Sequence, residues 1–165
     1  ISKILNGGVD DDVNIYFTNN HILFEFDDTI VVSRLIEATN YFDTDKMISN
    51  DYKTKITINK KEMADCIDRA TLLIKEGDKK PVFLTIKDTE MELSINTFIG
   101  SMDESIPISK EGSDIMISFN PKFLIDILKV LDQEQVSIFF TNPKAPCFIR
   151  DEENSYIYIV LPVVQ

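Results

Sequence analysis

Residues 13–20 read VNIYFTNN and residues 136–143 read VSIFFTNP. Five of the eight positions are identical, and a sixth pairs Tyr16 with Phe139. The match extends backwards without gaps, pairing Ile1 with Leu124, Ile4 with Ile127 and Leu5 with Leu128. Repetition of this kind marks a supersecondary unit used more than once.

The later copy shows what the unit contains. NPKFLIDILKVL (120–131) predicts a helix: Asn120 caps the first turn and Pro121 suits the first helical position. Phe123, Leu124, Ile127, Leu128 and Leu131 share one face. Three alternating stretches, 135–141, 146–150 and 155–161, then read as strands, with Pro143 and Pro146 punctuating the first connection. The earlier copy offers strands at 12–18, 21–27 and 29–36, with Asn-Asn and Asp-Asp as turns. By the same alignment ISKIL (1–5) is the last turn of an equivalent helix, so the chain is expected to open inside a unit.

A third copy lies between them. KITINKKEMADCIDRATLLIK sets Asn59 opposite Asn120, Met63 opposite Leu124, Cys66 opposite Ile127 and Ile67 opposite Leu128. Strands are expected at 81–87, 90–97 and 99–107. The unit is thus strand–helix–three strands, and residues 54–165 hold two in tandem. The expected class is α+β, two helices packed on antiparallel sheets. Residues 43–53 are polar, lack periodicity and read as a linker. Residues 1–46 then form the remnant of one domain and 47–165 a complete one.

Bulk properties narrow the chemistry. The composition, 44% hydrophobic and 27% charged, is that of a globular protein. No apolar run approaches the roughly 18–20 residues that span a bilayer. The two cysteines, Cys66 and Cys147, sit in apolar patterns and predict buried, reduced thiols of a cytoplasmic protein. A net charge of −11 repels a polyanion, so contact with nucleic acid requires a local concentration of Lys and Arg.

No constellation for catalysis emerges. His21 is the single histidine and follows two turn asparagines, which predicts a solvent-exposed residue. No Cys/His spacing suits zinc, and no glycine-rich loop suits phosphate; Gly7–Gly8 fits a helix C-cap. Acidic clusters at 10–12 and 151–154 fall at turns and read as solvated charge. Binding features say more. On a helix spanning 60–75, Met63, Ile67, Ala70 and Ile74 form the core stripe and Leu72 projects away from it. Leu72 is then either a lone exposed apolar residue or, with Leu73, an anchor for a subunit contact. In YIYIVLPVVQ (156–165) Pro162 ends a strand and leaves Val163 and Val164 on a tail, which is either docked or flanks an apolar binding site.

Three stretches together, SRLIEATNYFDTDKMI (33–48), ISFNPKFLIDIL (117–128) and YIYIVLPV (156–163), resemble the bacterial DNA polymerase III β sliding-clamp family. The likeness covers the end of that family's middle domain and all of its C-terminal domain. It implies the clamp fold, with helices lining the hole of a head-to-tail ring and sheets outside. It implies a non-catalytic processivity factor without cofactor or metal. The ring encircles duplex DNA without reading sequence and docks short apolar peptides of the replicative polymerase α subunit, the clamp loader and repair polymerases. Carried over by position, the peptide-binding residues are Phe42, Lys46, Met47, Asn120, Phe123, Lys144, Pro146, Ile159, Val160, Leu161, Pro162, Val163 and Val164. Phe42, Lys46 and Phe123 stand where the family usually has Pro, Arg and Tyr. The DNA-facing cations are Lys60, Lys61, Arg69, Lys75, Lys79, Lys80 and Lys122. Leu72 and Leu73 close the homodimer of the full-length protein, whereas this stretch alone is expected to be monomeric. The rival reading is an isolated α+β module that binds peptides or proteins and has no nucleic-acid role. Composition leans towards the rival, while motif order and the threefold repeat favour the clamp.

Overall fold

Alternating apolar and polar residues, broken by two-residue turns, dictate hairpins, and hairpins follow each other through the chain. The structure, a computed structural model, describes residues 12–36, 48, 51–75 and 77–164. It divides into two units, Ile1–Ile48 and Ser49–Gln165. The helical turn expected over 1–5, the Gly7–Gly8 cap, Asp10 and Asp11, and residues 37–47 lie outside the described residues. That last range includes most of the junction motif.

In the first unit β1 (Asn14–Phe17), β2 (His21–Phe26) and β3 (Thr29–Arg34) form an antiparallel sheet, with Tyr16, Leu23 and Val32 in one row. Asp27 turns the second hairpin at φ 48°, a left-handed conformation that Asp tolerates. His21 opens β2, exposed, and its backbone N–H donates to Thr18 Oγ1.

The second unit contains the tandem. The first copy runs β4 (Thr54–Asn59), α1 (Lys60–Thr71), β5 (Val82–Lys87), β6 (Glu90–Thr97) and β7 (Gly100–Gly112). The second runs β8 (Ile115–Phe119), α2 (Pro121–Val130), β9 (Gln135–Phe140), β10 (Cys147–Arg150) and β11 (Ile157–Val160). Strand order is β11-β10-β9-β4-β7-β6-β5-β8, antiparallel throughout. Each copy lends its first strand to the other: β4 pairs with β9, and β8 with β5. β7 is longer than the alternating pattern suggests because it serves two neighbours. Its residues 100–107 pair with β6, and 108–112 pair with β4. Gly112 ends it at φ 95°, where a Cβ would lie 1.9 Å from the Lys53 carbonyl oxygen, so only glycine fits.

Both helices begin alike. Asn59 Oδ1 accepts the Glu62 N–H at 3.0 Å, and Asn120 Oδ1 accepts the Lys122 N–H at 3.0 Å. Each helix stops short of its expected end. Past Thr71 the Leu72 and Leu73 N–H groups donate to the carbonyls of Arg69 and Ala70, a tightened last turn. Leu131, extended at ψ 136°, ends α2. One core unites the unit. Ile56 and Ile58, Leu84 and Ile86, Met91, Leu93 and Ile95, Val136 and Ile138 alternate along their strands and meet Met63, Ile67, Leu124 and Leu128 of the helices.

Candidate functional site

Five residues, Ile117 to Pro121, run from the end of β8 through the Asn120 cap to the first residue of α2, beside the tail. Ser118 lies on β8 opposite Phe83 of β5, and Asn120, two residues on, caps α2. From the first turn of that helix Phe123 points outward, 52% exposed. The tail returns to the same place. The Val163 N–H donates to the Ser118 carbonyl at 2.8 Å, and the Ser118 hydroxyl donates to the Val163 carbonyl at 2.7 Å. The tail is therefore docked on the sheet at Val163. Leu161 and Val164 nonetheless remain largely exposed, at 62% and 60%.

The other expected pocket residues fall nearby or play supporting parts. Val160 is buried opposite Cys147, and that register carried one step further sets Pro146 across from Leu161. Ile159 faces Phe148 on the outer side of the sheet. Lys144 is exposed on a turn that Asn142 closes by accepting the N–H groups of Lys144 and Ala145 at 2.9 Å each. Pro162 is half-buried between Leu161 and Val163. Phe42, Lys46 and Met47 are outside the described residues. Pro146 and Leu161 thus lie at the same end of the sheet, and Ser118, which holds Val163, stands two residues before the cap of the helix that carries Phe123.

The cations divide into two sets. Three are engaged within the domain. Lys60 donates from Nζ to the Leu131 carbonyl at 2.6 Å, tying the start of α1 to the end of α2. Arg69 grips Glu104 of β7 bidentately, Nε to Oε2 at 3.0 Å with a second bond from the guanidinium to Oε1. That hydrogen-bonded guanidinium holds the Glu104 carboxyl below its ordinary value of 4.5. Lys80 stands over the Phe98 ring, 5.6 Å from its centroid. Lys61, Lys75, Lys79 and Lys122 extend from the surface exposed. Leu72 is 78% exposed, whereas Leu73 is partly packed against the core.

Two residues escaped the sequence reading. Phe98, 96% exposed at the β6–β7 turn, lines a shallow depression with Leu73, Lys75, Lys80 and Ile99. Its only sequence signal was an aromatic residue two positions before a glycine, Gly100. Ser118 was unmarked, although the repeat alignment sets it opposite Thr57, another hydroxyl. Among the described residues no group of His, Cys, Asp and Glu could hold a metal ion. No described helix is long and apolar enough to cross a membrane. Cys66 and Cys147 are buried; burial pushes the Cys66 thiol up to about 11, with Glu104 adding to it, and the Cys147 thiol up to about 12.

Residues 45–164 match the family model of the DNA polymerase III β subunit, C-terminal domain. The chain therefore belongs to the DNA polymerase III β-subunit family. A β sliding clamp of Bacillus subtilis is 38% identical over 167 residues, covering 99% of this chain and 44% of the relative. A chain from Eubacterium rectale described as a DNA polymerase III β subunit is 63% identical. It superposes with a TM-score of 0.90, over 98% of this chain and 44% of that one. A sliding clamp from Bartonella birtlesii, solved bound to griselimycin, is 25% identical with a TM-score of 0.89, over 99% of this chain and 44% of its own. The fold is that of the sliding clamps. The chain spans less than half the length of these relatives.

Proposed function

We propose that this chain is the end of the middle domain, residues 1–46, and the C-terminal domain, residues 47–165, of a bacterial sliding clamp. The whole protein closes as a head-to-tail homodimeric ring around duplex DNA and tethers the replicative polymerase without catalysing a reaction. A closed ring needs no tight DNA contact, so an acidic protein can serve if a few exposed cations face the phosphates. Lys61, Lys75, Lys79 and Lys122 fill that role. Lys60, Arg69 and Lys80 are committed first to partners within the domain. Leu72 and Leu73, with Phe98 beside them, form the ring-closing face.

The second task is docking short apolar peptides of the polymerase α subunit, the clamp loader and repair polymerases. One observation supports it: Phe123, Leu161, Val163 and Val164 are exposed apolar residues, and the tail that carries three of them is fixed at Ser118, two residues before the cap of the helix that carries Phe123. Such a surface suits Leu and Phe side chains, with Lys144 and Asn120 as polar margins. The sliding clamp of Bartonella birtlesii, which shares this fold, was solved with griselimycin bound. Chemical-shift mapping on the full-length protein tests the proposal, using a peptide bearing Gln followed by Leu and Phe. Shifts at Phe123, Pro146 and Leu161–Val163 are expected. Shifts confined to α1, with none at those residues, would overturn it.

A further inference from the structure

The internal repeat gives Ser118 a meaning that its burial alone does not. Superposing the copies through their strand registers carries Thr57 onto Ser118 and Ser109 onto Val163. In the first copy Thr57 and Ser109 are one rung of the ladder between β4 and β7, which runs through Thr54–Ile58. In the second copy that ladder is cut down. β11 ends at Val160, and Pro162 has no N–H to offer. What stands in for the ladder is the Ser118–Val163 pair, where the backbone bond at 2.8 Å is doubled by the hydroxyl bond at 2.7 Å. Both polar groups of Val163 are taken by this one residue.

We infer that Ser118 is a positioning residue for peptide docking, setting the pose of Leu161–Val164 before a ligand arrives. This rests on the reading that peptides dock at the tail. Ser118 is 8% exposed and fixed opposite Phe83, so its anchor does not move with the ligand. The same short stretch also places the facing wall, because Asn120 caps the helix that carries Phe123. One rigid strand end therefore sets both sides of the apolar surface. The hydroxyl bond removes freedom that the tail would otherwise lose on binding, which is how pre-organisation raises affinity.

The test uses full-length protein and the Gln–Leu–Phe peptide. Ser118→Ala is expected to weaken peptide binding about fivefold, the loss of one ordinary hydrogen bond. It is also expected to speed hydrogen exchange at the Val163 amide; Ser118→Thr, which keeps the hydroxyl, restores both. Thr54→Ala supplies the structural control. Thr54 is also buried, and its hydroxyl donates to the Ser113 carbonyl at 2.7 Å, away from the tail. It is expected to lower thermal stability while leaving peptide affinity unchanged. Equal peptide affinity for wild type and Ser118→Ala overturns the inference while the docking proposal stands. Equal losses in Ser118→Ala and Thr54→Ala overturn it too, by making the effect one of stability. Absence of peptide binding to the wild type removes the docking proposal itself.

Discussion

Leu72 and Leu73 adjoin in sequence but differ in what holds them. The last turn of α1 leaves Leu72 in solvent, whereas Leu73 folds back towards the core, with its Cδ2 3.5 Å from where a Cβ on Gly100 would sit. Stability and assembly are therefore separable at these two positions. Leu72→Ala is expected to change the unfolding free energy by less than about 0.5 kcal/mol, as for surface sites generally. Leu73→Ala is expected to cost about 1–2 kcal/mol, below the range for a fully buried leucine. In the full-length protein each substitution is expected to weaken the proposed dimer, most visibly Leu72→Ala. Urea unfolding and sedimentation velocity measure the two effects, and an unaltered dimer in the double variant would remove both residues from the ring-closing face. The exposed Leu72 was legible from helical periodicity alone. Phe98 was not, because a turn residue has no period to betray its direction.

At the scale of elements, the Arg69–Glu104 pair links α1 to β7. Glu104 titrates below its ordinary value because Arg69 donates to its ionised form. A carboxyl depressed in the folded state stabilises fully above its unfolded value, near 4.5, and loses that contribution as pH falls through the folded value. The difference in melting temperature between wild type and Glu104→Gln is therefore expected at pH 7 and should shrink below about pH 4.5. A difference that persists unchanged at pH 3 would assign the effect to packing. The tail is the second joint between elements, since Val163 brings the chain's end back to β8. Removing Leu161 onwards is expected to abolish the proposed peptide docking, and it also loses both bonds to Ser118. A destabilisation of about 1–3 kcal/mol is expected, from two ordinary hydrogen bonds. Denaturant midpoints of the shortened and complete proteins give the value, and identical midpoints would show that the tail is not tied. The strands and both helices could be read from the sequence because each copy repeats the pattern of the last. The bond from the tail to Ser118 could not, since Pro162 ends the alternation and nothing local says which strand receives Val163.

At the scale of the molecule, the repeat fits the proposed function. In the proposed ring, built from copies of one unit, each copy would give its helix to the hole and its strands to the rim. On that proposal the shared phrase at 13–20 and 136–143 is one unit used more than once. The exchange of β4 and β8 between copies joins the two repeats of residues 54–164 in one core. Charge fits the same picture. The chain is acidic overall, and three of its seven expected DNA-facing cations are engaged with Leu131, Glu104 and Phe98. On the proposed function, this limits affinity through phosphate contact, and retention on DNA is expected to come from topology. The direct test places the full-length protein on nicked circular duplex DNA with its clamp loader, raises the salt, and then linearises the circle. Retention on the closed circle at high salt, followed by release on linearisation, is the predicted result. Salt-sensitive binding that is the same on circular and linear DNA would contradict it.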